Sequence, residues 1–191
     1  MDYDLCDEFF RILQFGKIFE LSAVLIKTKT LVLRVRNGST KKERRLICMT
    51  IQTLHLLDEC NSGCKMAINS MKQVRQYIKD EKLATLIDSY TEKHEKLEEE
   101  TGKQLMEYGK AEDRPGVMAK AMSWISTETK LMLKDDATQI AKIIMDGCNM
   151  GIQSLSRYIN EYVLATPESV HLAQKIIKTE EDLMREMKQF M

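Results

Sequence analysis

Two eight-residue segments of this chain nearly repeat each other. Residues 63–70 read GCKMAINS and residues 147–154 read GCNMGIQS, with five of the eight positions identical. Each segment lies near the middle of a long stretch in which apolar residues recur every three or four positions, the spacing of an amphipathic helix. The repeat therefore predicts a duplicated helical unit, with Cys64 and Cys148 at the same depth in the two copies.

Length and composition restrict the class of protein. The 191 residues suit a single domain with a real core, and their formal net charge of zero argues against a basic field that would attract nucleic acid. No uncharged run approaches the roughly 20 residues of a membrane helix. The five cysteines are odd in number and lack the spacing of a secreted framework, and the acidic N-terminus lacks the basic start of a signal peptide. We expect a cytoplasmic protein with free thiols that binds neither nucleic acid nor membrane.

The first quarter of the chain differs from the rest. Residues 1–48 hold four of the five phenylalanines, and residues 41–45 (KKERR) can be encoded entirely by purines just before Met49. One hypothesis is therefore that Met49 is the true start and that residues 1–48 are translated leader from a bacterial ribosome-binding region. The alternative is an N-terminal extension, flexible or amphipathic, that docks on the bundle or on a partner. Residues 49–191 form the predicted bundle domain in both cases.

From Met49 onward the apolar spacing predicts four long helices, at about residues 50–79, 81–109, 136–164 and 167–190. The first two are joined by a very short connection and must lie antiparallel, as must the last two. Residues 112–116 (EDRPG) break the pattern, and a shorter amphipathic helix around Trp124 precedes the third long helix. A hairpin, a long helical crossover and a second hairpin are the ferritin-type order of an all-α four-helix bundle.

The midpoints of the four apolar stripes carry residues with chemical potential. They are Cys64, His94, Cys148 and Glu180, one on each predicted helix. Antiparallel packing of helices of matched length would bring these four side chains to a common level in the bundle. This level is the one place where the spacing predicts a site.

From Met49 onward the chain resembles ferritin-like four-helix bundles, in particular small bacterial domains of unknown function that read Gly-Glu-x-Met on their first and third helices. Cys64 and Cys148 stand in the glutamate places of that motif. Di-iron members add Glu-x-x-His from the other two helices, where this chain has leucine in the second-histidine places at Leu97 and Leu183. The resemblance implies a ferritin-like fold whose di-iron site is degenerate, so that iron–oxygen chemistry is not expected.

Several interpretations of the four central residues remain open. In the first, the cysteines only fill the core, and His94 shares a buried hydrogen bond with Glu180 or a tyrosine. In the second, all four residues bind a single Zn or Fe ion as a tetrahedral set. A Cys64–Cys148 redox pair would require Cα atoms within about 7 Å.

These interpretations lead to different functions. The first predicts no cofactor and a non-enzymatic structural or protein-interaction module, which contacts a protein partner or forms a homodimer through its helix faces. The alternative is a metal-binding or thiol-redox protein that uses Cys64, Cys148, His94 and Glu180. A bundle that holds a small apolar ligand would instead require a central cavity.

Overall fold

The computed structural model describes residues 40–109 and 136–191, and within these ranges the chain forms four long helices and no strand. The helices are α1 (Lys41–Arg75), α2 (Glu81–Glu107), α3 (Ala137–Glu161) and α4 (Pro167–Met187), and a short 3₁₀ turn (Lys188–Phe190) follows α4. The predicted all-α architecture is confirmed for these residues. The predicted crossover helix, with Trp124, and most of the N-terminal extension lie outside the described residues.

Each helix begins at a side chain that caps its first backbone N–H groups. Asp80 accepts from the backbone N–H of Leu83 at the start of α2, and Asp136 accepts from two N–H groups at the start of α3. Thr166 caps α4, and Pro167 takes the first helical position. A backbone N–H at that position would have no partner within the helix, so the lack of one in proline costs nothing. The start predicted for α4 is confirmed, and that predicted for α3 lies within one residue.

The first helix starts earlier than the sequence pattern predicted. Thr40 and Glu43 form a reciprocal capping box, in which the Glu43 carboxylate accepts from the Thr40 N–H at 2.8 Å. From there α1 runs without a break through Met49, and Ile47 and Cys48 are buried. The boundary proposed at residues 48 and 49 is thus not a break in secondary structure, because the cap lies at Thr40. The hypothesis of a start at Met49 stays a prediction.

Two apolar clusters occupy the two ends of the bundle and define the directions of the helices. The first core cluster joins the end of α1, the start of α2, the start of α3 and the end of α4; its members include Met71, Val74, Leu83, Ile87, Tyr90, Ile140, Ile144, Cys148, Leu183 and Met187. The second core cluster joins the opposite ends of the same helices; its members include Leu56, Leu57, Cys60, Cys64, Leu97, Leu105, Leu155, Leu172 and Ile176.

It follows that α1 and α4 run in one direction and α2 and α3 in the other. The end of α2 and the start of α3 therefore lie at opposite ends of the bundle. This arrangement agrees with the predicted order of two hairpins separated by a long connection. No helix in the described ranges is long and apolar enough to span a membrane.

Candidate functional site

The centre of the bundle contains a direct contact between an imidazole and a carboxylate. His94 Nε2 lies 2.9 Å from Glu180 Oε1, which joins α2 to α4. His94 Nδ1 lies 2.8 Å from the backbone carbonyl oxygen of Tyr90, one turn earlier on α2. The His94 side chain is fully buried and Glu180 is only 7 % exposed. The hydrogen bond expected between His94 and Glu180 in the core-filling interpretation is confirmed.

The Tyr90 carbonyl determines which nitrogen of His94 carries a proton. A carbonyl oxygen only accepts hydrogen bonds, so Nδ1 must donate to it. The contact between Nε2 and the Glu180 carboxylate is then a hydrogen bond when Nε2 carries a proton as well, which makes the ring an imidazolium facing the carboxylate.

The environment of His94 acts on its pKa in opposite directions. Burial is the largest single influence and lowers the pKa, because it disfavours the charged ring. The hydrogen bond and negative charge of Glu180 and the Tyr90 carbonyl act together against burial, and the net pKa of His94 is raised above its ordinary value of 6.5. The contact with Glu180 thus favours the protonated ring.

The two cysteines of the repeated motif lie close to this pair without being equivalent. Burial raises the pKa of the Cys148 thiol, and the negative charge of Glu180 and a hydrogen bond with its carboxylate raise it further. Burial likewise raises the pKa of Cys64, with smaller contributions from Cys60 and from Glu180. Both thiols are therefore protonated at neutral pH, and the protonated form is a poor nucleophile and a poor metal ligand.

The polar pair lies where the two core clusters meet. Tyr90 and Leu183 lie one turn from the pair on one side and belong to the first core cluster. Leu97 and Ile176 lie one turn from the pair on the other side and belong to the second. Cys148 belongs to the first cluster and Cys64 to the second. The pair is thus enclosed by apolar side chains on both sides, which explains its burial. Gly151 of α3 packs against the Glu180 side chain, and a Cβ at this position would lie 3.7 Å from Oε1, an ordinary van der Waals contact.

The four predicted site residues are brought only partly together. His94 and Cys148 contact Glu180, and the negative charge of Glu180 also raises the pKa of Cys64. In the ranges 40–109 and 136–191, no group of three or more His, Cys, Asp or Glu side chains is arranged to hold a metal ion. The other histidines, His55 and His171, are exposed. A metal bound by these four residues stays a prediction.

The sequence pattern did not single out Tyr90, although this residue extends the polar network. Its hydroxyl donates to Glu186 Oε1 at 2.7 Å, and the Lys93 ammonium lies 3.6 Å from the centre of its ring. Tyr90 precedes His94 by four residues, so a buried histidine ring facing the carbonyl of the preceding turn could have been inferred from helix geometry. Tyr90 thus contacts Glu186 through its hydroxyl and His94 through its backbone carbonyl oxygen, in two separate hydrogen bonds.

A second buried polar contact also escaped sequence analysis. The side-chain amide of Asn61 donates to the backbone oxygen of Glu98 at 3.0 Å and to Thr101 Oγ1 at 2.9 Å. Asn61 lies one turn before Cys64 and fixes α1 against α2. Its position among the apolar residues of α1 was the available signal.

Comparison with known proteins leaves the chain without an assigned family. No protein-family model, no curated protein and no solved structure matches it. The resemblance to ferritin-like bundles stays a prediction from the sequence.

Proposed function

We propose that this protein is a ferritin-like four-helix bundle that lacks an intact di-iron site and serves as a non-enzymatic structural or protein-interaction module. The observation that carries the proposal is the direct hydrogen bond between His94 and Glu180. In a di-iron bundle the central carboxylates and imidazoles face metal ions. In this chain the central imidazole and carboxylate face each other.

The surroundings of the pair support the same proposal. A di-iron site uses hard carboxylate ligands, whereas the positions in the repeated motif carry Cys64 and Cys148, whose thiols have raised pKa values. Leu97 and Leu183 are buried in the core, at the places where histidine ligands would stand. The centre is therefore packed as a core with one satisfied polar pair, and the outer faces of the helices are left to make contacts with other molecules.

Anaerobic addition of Fe²⁺ followed by exposure to oxygen tests the absence of di-iron chemistry. We expect no oxygen consumption above that of buffer and no ferric absorbance that depends on Glu180. Glu180→Gln serves as the matched variant, because it keeps the volume and removes the charge. Oxygen consumption by the wild-type chain that is lost in Glu180→Gln would contradict the proposal.

A second candidate function is metal binding or thiol redox chemistry at Cys64, His94, Cys148 and Glu180. The observation that favours it is that Glu180 interacts with the other three side chains. Such binding would require the ion to displace the proton between His94 and Glu180 and to deprotonate both thiols. Binding should then release protons and become tighter as the pH rises.

Titration with Co²⁺ separates the two candidates, because thiolate ligands give Co²⁺ strong charge-transfer and d–d absorbance. If the protein is a structural or protein-interaction module, no such bands should appear. Bands that saturate near one equivalent and disappear in the Cys64→Ser/Cys148→Ser variant would establish the metal site instead.

A further inference from the structure

We propose that residues 1–39 pack against the first two turns of α1 and cover Ile47 and Cys48 there. The proposal goes beyond the proposed function, because it concerns a contact within the chain and not the contacts of the bundle with other molecules. It is carried by the relative lengths of the helices, by the pattern of burial at the start of α1, and by the charges on both sides of Thr40.

The start of α1 extends past the other three helices. Thr53 accepts a hydrogen bond from the backbone N–H of Thr166, which lies in the short connection between α3 and α4. That hairpin therefore turns level with Thr53. Asn61 contacts Thr101, and α2 ends six residues after Thr101, close to the same level. Residues 41–48 thus lie at least one turn beyond the ends of α2, α3 and α4.

Burial at the start of α1 is the reverse of what packing in the bundle would produce. Leu46 lies 18 residues, or five turns, before Cys64, so it is on the side of α1 that faces the core. It is nevertheless 58 % exposed. Ile47 and Cys48 point about 100° and about 200° away from Leu46 around the helix, and they are only 7 % and 2 % exposed. Neither belongs to a core cluster, and a segment outside the described ranges accounts for their burial.

Two segments lie outside the described ranges, and their paths favour the first as the cover. Residues 110–135 leave the end of α2 and must reach Asp136 at the opposite end of the bundle, about 40 Å away along the helices. That path leads away from the start of α1. Residues 1–39 join α1 at Thr40 instead. About 12 Å of helix separates Thr40 from Cys48, a distance that about four extended residues can span.

Charge complementarity also favours residues 1–39. Residues 41–45 carry four exposed cations, and the first ten residues of the chain carry four carboxylates and no Lys or Arg. In residues 110–135, by contrast, four acidic residues are interspersed with five basic ones. Four of the five phenylalanines also lie in residues 1–39, and phenylalanine supplies a large apolar area for covering Ile47 and Cys48. The four carboxylates belong to Asp2, Asp4, Asp7 and Glu8.

Thiol labelling, with each cysteine identified by mass spectrometry of its peptide, tests the cover over Cys48. In the full chain we expect Cys48 to react as slowly as Cys60, which lies in the second core cluster. In a chain that begins at Thr40 and keeps the capping box, Cys48 should react at least about tenfold faster, while Cys60 stays slow and shows that the bundle is folded. Equal protection of Cys48 in the two chains, or prompt labelling of Cys48 in the full chain, would overturn the proposal.

Carbodiimide crosslinking of the full chain tests the same contact, and it decides the question if both thiols react in the shortened chain. The reagent joins an ammonium group to a carboxylate that lies against it. We expect crosslinks within the monomer from Lys41 or Lys42 to the carboxylates of residues 1–10. Lys103, which lies 2.7 Å from a carboxylate oxygen of Glu99, is the internal control in every sample.

Two crosslinking results would contradict the proposal. Crosslinks from Lys41 and Lys42 that lead only to the acidic residues of 110–135 would assign the cover to that connection. Crosslinking of Lys103 without any crosslink between residues 1–10 and the start of α1 would remove the contact altogether.

Discussion

His94 and Glu180 occupy corresponding places in the two helix hairpins and form a hydrogen bond with each other at 2.9 Å. His94 stands three residues before Leu97, and Glu180 stands three residues before Leu183. One copy of the duplicated unit thus supplies a base and the other an acid. An exact duplication would place two like groups in contact at the centre, and the difference between the copies removes that conflict.

Removing one member of this pair should destabilise the bundle more than removing both. In His94→Leu, the Glu180 carboxylate loses its partner while it stays buried, and we expect a loss of about 3 kcal/mol in the free energy of unfolding. The double variant His94→Leu/Glu180→Leu leaves no buried charge and should lie within about 1 kcal/mol of the wild type. Urea unfolding followed by circular dichroism measures both values.

An exposed ion pair provides the control for that comparison. Lys175 and Glu100 lie 2.6 Å apart and join α4 to α2 at the surface. Lys175→Ala should cost less than about 1 kcal/mol, because both charges remain solvated. A double core variant that is no more stable than His94→Leu would argue against the account of the central pair.

The stability of the protein should depend on pH through His94. Its pKa is raised in the folded state above the ordinary value of 6.5. The protonated ring therefore contributes its full stabilisation below about pH 6.5, and this contribution is lost as the pH rises through the folded-state pKa. Urea unfolding at a series of pH values, measured against His94→Leu/Glu180→Leu, isolates the effect. Parallel curves for the two proteins would contradict it.

The buried thiols should be unreactive while the protein is folded. Cys48, Cys60, Cys64 and Cys148 are all buried, and burial raises the pKa of Cys60 to about 12. At pH 8 roughly one Cys60 thiol in ten thousand would be ionised. In the Cys6→Ser variant, which removes the remaining cysteine, we expect labelling by a chromogenic disulfide only at the rate of unfolding. Prompt labelling of one or more thiols in native buffer would contradict the assignment of these residues to the core.

The start of α4 should depend on a side chain of α1. The backbone N–H of Thr166 donates to Thr53 Oγ1 at 2.9 Å, and Thr53 is fully buried. Thr53→Val keeps the shape but leaves that N–H without its acceptor, so we expect a loss of about 1–2 kcal/mol in thermal or urea unfolding. Thr85→Val, at an exposed position on α2, should change stability by less than about 0.5 kcal/mol. Equal effects of the two substitutions would show that the contact with Thr166 contributes nothing.

The sequence predicted the helices well because their signals are local. The start of α4 was predicted at residue 167, next to the cap at Thr166, and the burial of Cys64 and Cys148 followed from their places in the apolar stripes. The start of α1 was missed because the composition of residues 1–48 favoured a boundary at Met49, although the capping box of Thr40 and Glu43 was present in the sequence.

The pairing inside the bundle was only partly predictable. Spacing placed His94 and Glu180 at one level, but whether they face a metal or each other depends on side-chain geometry. The contact of Asn61 with Glu98 and Thr101 depends on the rotation of α1 against α2, which spacing does not determine. Such contacts between helices cannot be derived from the spacing of residues along each helix.

Nitrogen-15 NMR of the His94 ring tests the central claim most directly, because it reports the proton on each nitrogen. We predict that Nδ1 carries a proton at every pH at which the protein is folded. We also predict that Nε2 is hydrogen-bonded to Glu180 through a proton at pH 7, and that one equivalent of Zn²⁺ leaves both signals unchanged. The account would be contradicted if addition of Zn²⁺ removed the proton from Nε2, or if the ring were protonated on Nε2 alone.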